Sequence, residues 1–118
     1  MKLLSAVESL GALAHEHRLA IYRLLIKHGP EGLPAGVIGS RIGLTPSSLT
    51  FHLQALQRAG LTKHARVGRQ LFYSADFSAM HDLLGYLTDE CCVESASCAP
   101  DCAPDCAPAR KSKAPKAA

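Results

Sequence analysis

The sequence predicts a mainly α-helical domain with a two-stranded β wing, the winged helix-turn-helix arrangement. Three features predict it. Two short apolar-periodic segments are joined by Gly43-Leu44-Thr45, the tight glycine turn that separates paired helices. Alternating segments at 61–67 and 70–74 flank Gly68-Arg69, as in a hairpin. Further helical periodicity lies before and after this block.

Each element has a local cause. Leu3, Leu4, Val7, Leu10 and Leu13 recur at helical spacing and predict a first helix over about 2–13. A second, over about 15–28, carries Leu19, Ile21, Tyr22, Leu24, Leu25 and Ile26, an apolar surface broad enough for a buried central helix. Gly29-Pro30 ends it. Pro34 suits the first position of a short third helix with Val37, Ile38 and Ile42, weakened by Gly36 and Gly39. Thr45 is a good N-cap and Pro46 a good first residue for the fourth helix, whose Leu49, Leu53 and Leu56 share one side. Asp76 caps a last helix with Phe77, Met80, Leu83, Leu84 and Leu87 on its apolar side. Beyond Val93 the Cys-Ala-Pro repeats place a proline at every fourth position, which forbids a regular helix. Residues 1–92 are therefore expected to be the DNA-binding and dimerisation domain. Residues 93–118 are expected to be a Cys/Ala/Pro-rich and basic tail, disordered apart from an effector site.

The net charge of +3 conceals a strong polarity. Residues 17–75 hold eight Lys or Arg and one acid, Glu31. Residues 76–106 hold seven acids and no Lys or Arg, and 107–118 hold four basic residues. A basic middle suits phosphate contact, and the acidic stretch should face away from nucleic acid. No long apolar run predicts a membrane span. The chain is read as cytoplasmic, where thiols stay reduced and serve as ligands rather than disulfides. All five cysteines, Cys91, Cys92, Cys98, Cys102 and Cys106, lie after the winged block. Clustered at one end of the last helix, they look like a site for a thiophilic ion. No nucleophile–base set, paired carboxylates or phosphate-cradling glycine loop can be placed in one pocket, so an enzyme with a catalytic cofactor is not expected.

The run from Thr45 to Leu56, Thr-Pro-Ser-Ser-Leu-Thr-Phe-His-Leu-Gln-Ala-Leu, followed by Ala59-Gly60-Leu61, resembles the ArsR/SmtB family of metal-responsive repressors, as does Glu16-His17-Arg18-Leu19. The resemblance covers about residues 5–92. It implies a homodimer formed by the first and last helices, and repression until an effector binds. Some arsenical sensors of this family carry Cys-x-Cys before the recognition helix, where this chain has 32–37 without a thiol. Zinc sensors carry Asp-x-His and His-x-x-Glu on the last helix, which are absent here. Cys91-Cys92-x5-Cys98 resembles instead the arsenical repressors whose site lies at the end of the last helix.

The chemistry agrees with that resemblance. As(OH)3 is neutral, and three thiols replace its three hydroxyls with release of three waters, leaving a neutral centre bound by three sulfurs. Soft sulfur suits it. A four-thiolate zinc site would carry a charge of about −2, opposed by Asp89, Glu90, Glu94, Asp101 and Asp105. The expected effector is As(III), with Sb(III) as its congener, held by Cys91, Cys92 and Cys98. Adjacent side chains diverge by about 100° on a regular helix, so Cys91 and Cys92 can share an ion only where the helix end is frayed or bent. Cys102 and Cys106 stand as spare ligands or scavengers.

For double-stranded operator DNA with an inverted repeat, the candidate contacts are Thr45, Ser47, Ser48, Thr50, Phe51, His52 and Gln54 on and before the fourth helix, with Arg66 and Arg69 on the wing. Phe51 and His52 read equally well as packing residues, and His15, His17, His28, His64 and His81 show no ligand spacing. The alternatives are a Cd, Pb, Zn or redox sensor of the same fold, a zinc-binding interaction module, and tail thiols with no ligand.

Overall fold

The computed structural model describes residues 1–94, and the element order agrees with the sequence reading. Helices α1 (Leu3–Leu13), α2 (Glu16–His28), α3 (Ala35–Ile42) and α4 (Pro46–Arg58) precede the hairpin of β2 (Thr62–Val67) and β3 (Gln70–Ala75), and α5 (Phe77–Thr88) follows. A further two-residue strand, β1 (Leu33–Pro34), lies between α2 and α3. It pairs antiparallel with β3, Leu33 opposite Tyr73 and Pro34 opposite Phe72, so the sheet has three strands in the order β1-β3-β2. Two residues carry no alternation to read, which is why the sequence pattern did not contain this strand. Pro34 accordingly stands one position earlier than expected, as N-cap of α3 with φ −63° and ψ 147°.

The helix starts follow local chemistry. Thr45 Oγ1 accepts the Ser48 N–H at 3.4 Å, and Pro46 opens α4. Asp76 Oδ1 accepts the Ala79 N–H at 3.1 Å at the start of α5. The turn between α3 and α4 closes on Gly43, left-handed at φ 84°, whose N–H reaches the Gly39 carbonyl at 2.8 Å. Gly39, which weakens α3 by propensity, serves packing instead. A Cβ there would stand 3.2 Å from Leu49 Cδ2 and 3.4 Å from the Leu44 carbonyl oxygen, so glycine lets α3 and α4 approach closely.

The core of the compact unit Met1–Leu83 is built by Ile21 and Leu25 of α2, Ile38 of α3, Leu53 and Leu56 of α4, and Leu61, all fully buried. Leu49 completes the apolar stripe of α4. This packing holds α4 by its inner side and leaves its outer side to solvent.

Helix α1 departs from the simplest expectation. Its buried residues are the small ones, Ala6, Ser9 and Ala12, whereas Leu3, Leu4, Val7 and Leu10 are exposed. The leucine-rich side of α1 is thus largely uncovered among the described residues. Of the apolar leucines of α5, Leu83 is 5 % exposed, whereas Leu84 and Leu87 are exposed.

Among the described residues two buried hydroxyls, those of Tyr22 and Thr62, are unsatisfied. The Tyr22 hydroxyl has no hydrogen-bond partner, and burial, then the Asp76 carboxylate, push its pKa up. Tyr22→Phe removes that hydroxyl without changing the ring, so stability should rise by about 1 kcal/mol. Urea denaturation of the two proteins checks this; a loss of stability would mean the hydroxyl is hydrogen-bonded in solution.

Candidate DNA interface and thiol site

The outer side of α4 presents the candidate base readers together. Ser47, Ser48, Thr50, Phe51 and Gln54 are all exposed, opposite the buried Leu49, Leu53 and Leu56. Thr45 is exposed too, with its hydroxyl already accepting the capping bond. Thr50 spends its hydroxyl proton on the Pro46 carbonyl at 2.9 Å, so toward a partner it can only accept. Phe51, for which packing was the alternative, is 57 % exposed. An aromatic residue left in solvent on a polar helix face is a contact surface rather than core.

His52 differs from the other candidates. It is 7 % exposed and lies behind the α4 face, so it is not presented to DNA. Its Nδ1 accepts the Arg18 Nε–H at 3.2 Å, which requires that nitrogen to be unprotonated. Burial first, then His15, Arg18 and His17, hold its pKa below the ordinary 6.5. The folded state therefore prefers neutral His52, whereas the unfolded chain accepts a proton at the ordinary value. Stability from this group is fully present above pH 6.5 and is lost as pH falls through the lowered folded value. Thermal melts across that range should show the wild type losing more stability on acidification than His52→Gln, whose amide oxygen can also accept from Arg18. Equal loss in both proteins would refute this.

On the wing, Val67 pairs with Gln70 across the two-residue loop Gly68-Arg69, and Arg66 and Arg69 are both exposed near this tip. Between α4 and the wing lies an open recess of about 530 Å³ lined by Gln54, Gln57, Arg58, His64 and Tyr73. Of these only Gln54 was singled out from the sequence. Arg58 was visible as part of the basic middle, but its meeting with His64 depends on how β2 packs on α4.

The segment after α5 is described as far as Glu94. The helix stops at Thr88, and turns follow, with Cys91 N–H on the Thr88 carbonyl at 3.0 Å and Val93 N–H on the Glu90 carbonyl at 3.2 Å. Glu90 and Cys92 adopt left-handed backbone at φ 61° and 62°, a conformation costing about 1–2 kcal/mol for a residue with a Cβ. The consequence is that Cys91 Sγ and Cys92 Sγ stand 3.6 Å apart, instead of diverging as on a regular helix. Two sulfurs about 2.3 Å from a common centre at a tetrahedral angle would be about 3.8 Å apart, so the pair has the spacing of two ligands to one ion. Cys98, Cys102 and Cys106 lie outside the described residues. Among the described residues no group of three metal-ligating side chains is assembled, and no helix is long and apolar enough to cross a membrane.

Comparison with known proteins agrees with the winged helix-turn-helix fold. Residues 13–65 match a helix-turn-helix domain family. The chain is 37% identical over 82 residues to the transcriptional activator HlyU of Vibrio cholerae, spanning 67% of this chain and 73% of that protein. It is 32% identical over 80 residues to the nodulation protein NolR of Rhizobium meliloti, covering 68% of this chain but only 63% of that protein's length. Among solved structures, HlyU from Vibrio cholerae matches with TM-score 0.59 and 34% identity over 74% of this chain and 97% of its own. An ArsR-like transcriptional regulator from Rhodococcus sp. RHA1 matches with TM-score 0.63 and 26% identity over 71% and 76%. The homodimeric winged helix-turn-helix DNA-binding domain of Mb0332 from Mycobacterium bovis, a possible ArsR-family regulator, matches with TM-score 0.60 and 26% identity over 80% and 88%. HlyU is named as a transcriptional activator, and the Rhodococcus and Mycobacterium proteins as a transcriptional regulator and a DNA-binding domain, not as enzymes. With the turn, the exposed face of α4 and the wing in place, the chain belongs to the winged helix-turn-helix transcriptional regulators of the ArsR/SmtB type.

Proposed function

We propose that the protein is a homodimeric repressor released from operator DNA when As(III), or its congener Sb(III), binds Cys91, Cys92 and Cys98. The observation that carries this reading is the 3.6 Å approach of Cys91 Sγ and Cys92 Sγ, in a turn where Glu90 and Cys92 adopt left-handed backbone. A third thiol, Cys98, follows within six residues and completes a neutral three-sulfur centre. Support for the dimer comes from the exposed Leu3, Leu4, Val7 and Leu10 of α1, and from the homodimeric neighbour from Mycobacterium bovis.

Residues 1–92 then form the DNA-binding and dimerising part, and the segment from 93 onward carries the third ligand. Two-fold symmetry calls for an inverted repeat with half-sites about one helical turn apart. Ser47, Ser48, Phe51 and Gln54 read base edges from α4, with Thr45 and Thr50 at its start, while Arg66 and Arg69 touch the backbone from the wing. Ser48→Ala or Gln54→Ala should weaken binding to the selected operator more than to random duplex. Arg69→Ala should weaken both and lower the salt slope by about one unit. Equal losses on both duplexes for all three variants would refute this division of labour.

The function is tested by titrating the protein–operator complex with As(III), Sb(III), Cd(II), Zn(II) and a mild oxidant, at defined salt, with reductant in every metal arm. Release by As(III) and Sb(III) at the lowest concentrations is expected. Release by Cd(II) or Zn(II) alone makes the protein a divalent-metal sensor, and release by oxidant alone a redox sensor.

A further inference from the structure

Three imidazoles and a guanidinium converge where the start of α2 meets the recognition helix α4. The ring centroids of His15 and His52 are 4.6 Å apart, those of His15 and His17 5.4 Å, and those of His17 and His52 5.7 Å. Arg18 is held at this point from two sides. Its Nε–H donates to His52 Nδ1, and its Cζ lies 5.5 Å from the centre of the Phe51 ring. His15 Nδ1 caps α2 by accepting the His17 N–H at 3.1 Å. His15 is exposed and His17 and Arg18 are half-buried, so all three remain open to a partner.

Among the described residues, no carboxylate is one of the groups that shift His52. The charges acting on His52 are His15, Arg18 and His17, and Glu16, between them in sequence, is exposed and not among them. From the other elements packed on α4, Glu8 of α1, Arg41 of α3 and Lys63, His64 and Arg66 of β2 are also exposed and do not act on it. A cation would be repelled by Arg18, and no metal-holding group is formed among the described residues. The complementary ligand is an anion.

Its position names the anion. An α-helix with its side chains is about 10–12 Å across and the major groove about 12 Å wide. A recognition helix therefore fills the groove, and whatever abuts its flank lies against a phosphate wall. Arg18 abuts that flank through Phe51, which is exposed on the α4 face.

We propose that Arg18 and His17, beside the capping His15, form a proton-dependent seat for one DNA backbone phosphate, so that DNA binding takes up a proton. The proposal rests on α4 being the DNA-reading helix. His52 is a positioning residue: burial keeps it neutral, its Nδ1 stays an acceptor, and Arg18 stays fixed beside Phe51. A phosphate beside His17 favours the charged form of its imidazole, whereas His15 keeps Nδ1 unprotonated while it caps α2. Binding and protonation then strengthen each other reciprocally. A whole proton taken up changes affinity about tenfold per pH unit.

The test measures affinity of the full chain at constant salt between about pH 8 and pH 6. Two duplexes of equal length are used, one selected by the protein from a random library and one of random sequence. Wild-type affinity should rise roughly three- to tenfold on both as pH falls. H15N/H17Q keeps a capping acceptor at position 15 but carries no titrating group there, and should flatten the dependence. His17→Gln alone, which leaves the cap in place, should flatten it as well. Arg18→Gln should lower the salt slope by about one unit. His64→Gln, in the recess beside the wing, should leave the pH dependence unchanged. A dependence that survives in both His17→Gln and H15N/H17Q, or that disappears in His64→Gln, overturns the proposal. Binding with no pH dependence in the wild type overturns it as well and leaves the DNA-reading role of α4 standing. Failure to bind either duplex at any pH removes that role and the proposal together.

Discussion

Serine at Cys91, Cys92 or Cys98 is expected to abolish release of DNA by As(III) while leaving DNA binding without metalloid as in the wild type. Each substitution exchanges a soft sulfur for a hard oxygen and leaves two thiols, which cannot complete a neutral three-sulfur centre. The cysteines are remote in sequence from the candidate DNA contacts within 45–69, so the unliganded protein should keep its affinity. In the proposed sensor, As(III) bound by all three thiols would tie position 98 to the turn after α5 and close a loop. The loop weakens DNA binding only if it favours one relative orientation of the two DNA-reading units; a ligand indifferent to orientation would shift nothing. Coupling of this kind is typically about 1–3 kcal/mol, so the wild-type affinity should fall roughly 5–150-fold with As(III). Serine at Cys102 or Cys106 should change little. A Cys102→Ser protein that no longer responds, beside a Cys98→Ser protein that does, would move the third ligand to the next Cys-Ala-Pro repeat. A normal response in all five variants would end the sensor reading.

Glutamate at both Leu4 and Val7 is expected to separate the dimer into folded monomers. Both side chains point away from their own chain, at 76% and 56% exposure, so the monomer's core does not depend on them. In a two-fold interface each position counts twice. Burying an apolar side chain is worth about 1.5–3 kcal/mol, so four of them contribute on the order of 6 kcal/mol, or about four decades in the dimer dissociation constant. Sedimentation at micromolar concentration should show the wild type as a dimer and the variant as a monomer, with the helical circular-dichroism signal retained. A wild type that is monomeric, or a variant that stays dimeric, would place the interface elsewhere.

Most of the DNA-reading surface was legible along the chain. The apolar positions Leu49, Leu53 and Leu56 define the inner side of α4, so the exposure of Ser47, Ser48, Thr50, Phe51 and Gln54 follows from helical period alone. His52 was not resolved in this way. It sits at the edge of the stripe, and its burial is settled by Arg18, 34 residues away. The histidine cluster was invisible for the same reason. His15 and His17 show no ligand spacing by themselves, and only the docking of α2 on α4 brings them to His52.

What the sequence by itself determined is what short-range chemistry controls. Thr45-Pro46 and Asp76 start their helices, Gly43 turns the chain, Gly68-Arg69 closes the wing, and the α4 stripe chooses its buried side. Each depends on residues a few positions apart, where backbone geometry leaves few choices. Only the tertiary structure decided which side of α1 packs inward, and it chose Ala6, Ser9 and Ala12 over the leucines. Only it added β1 to the sheet, buried Leu83, and gathered His15, His17, Arg18 and His52. These outcomes depend on close fit between elements distant in sequence. The small side chains of α1 pack inside, while its larger apolar ones are left for a surface outside the chain.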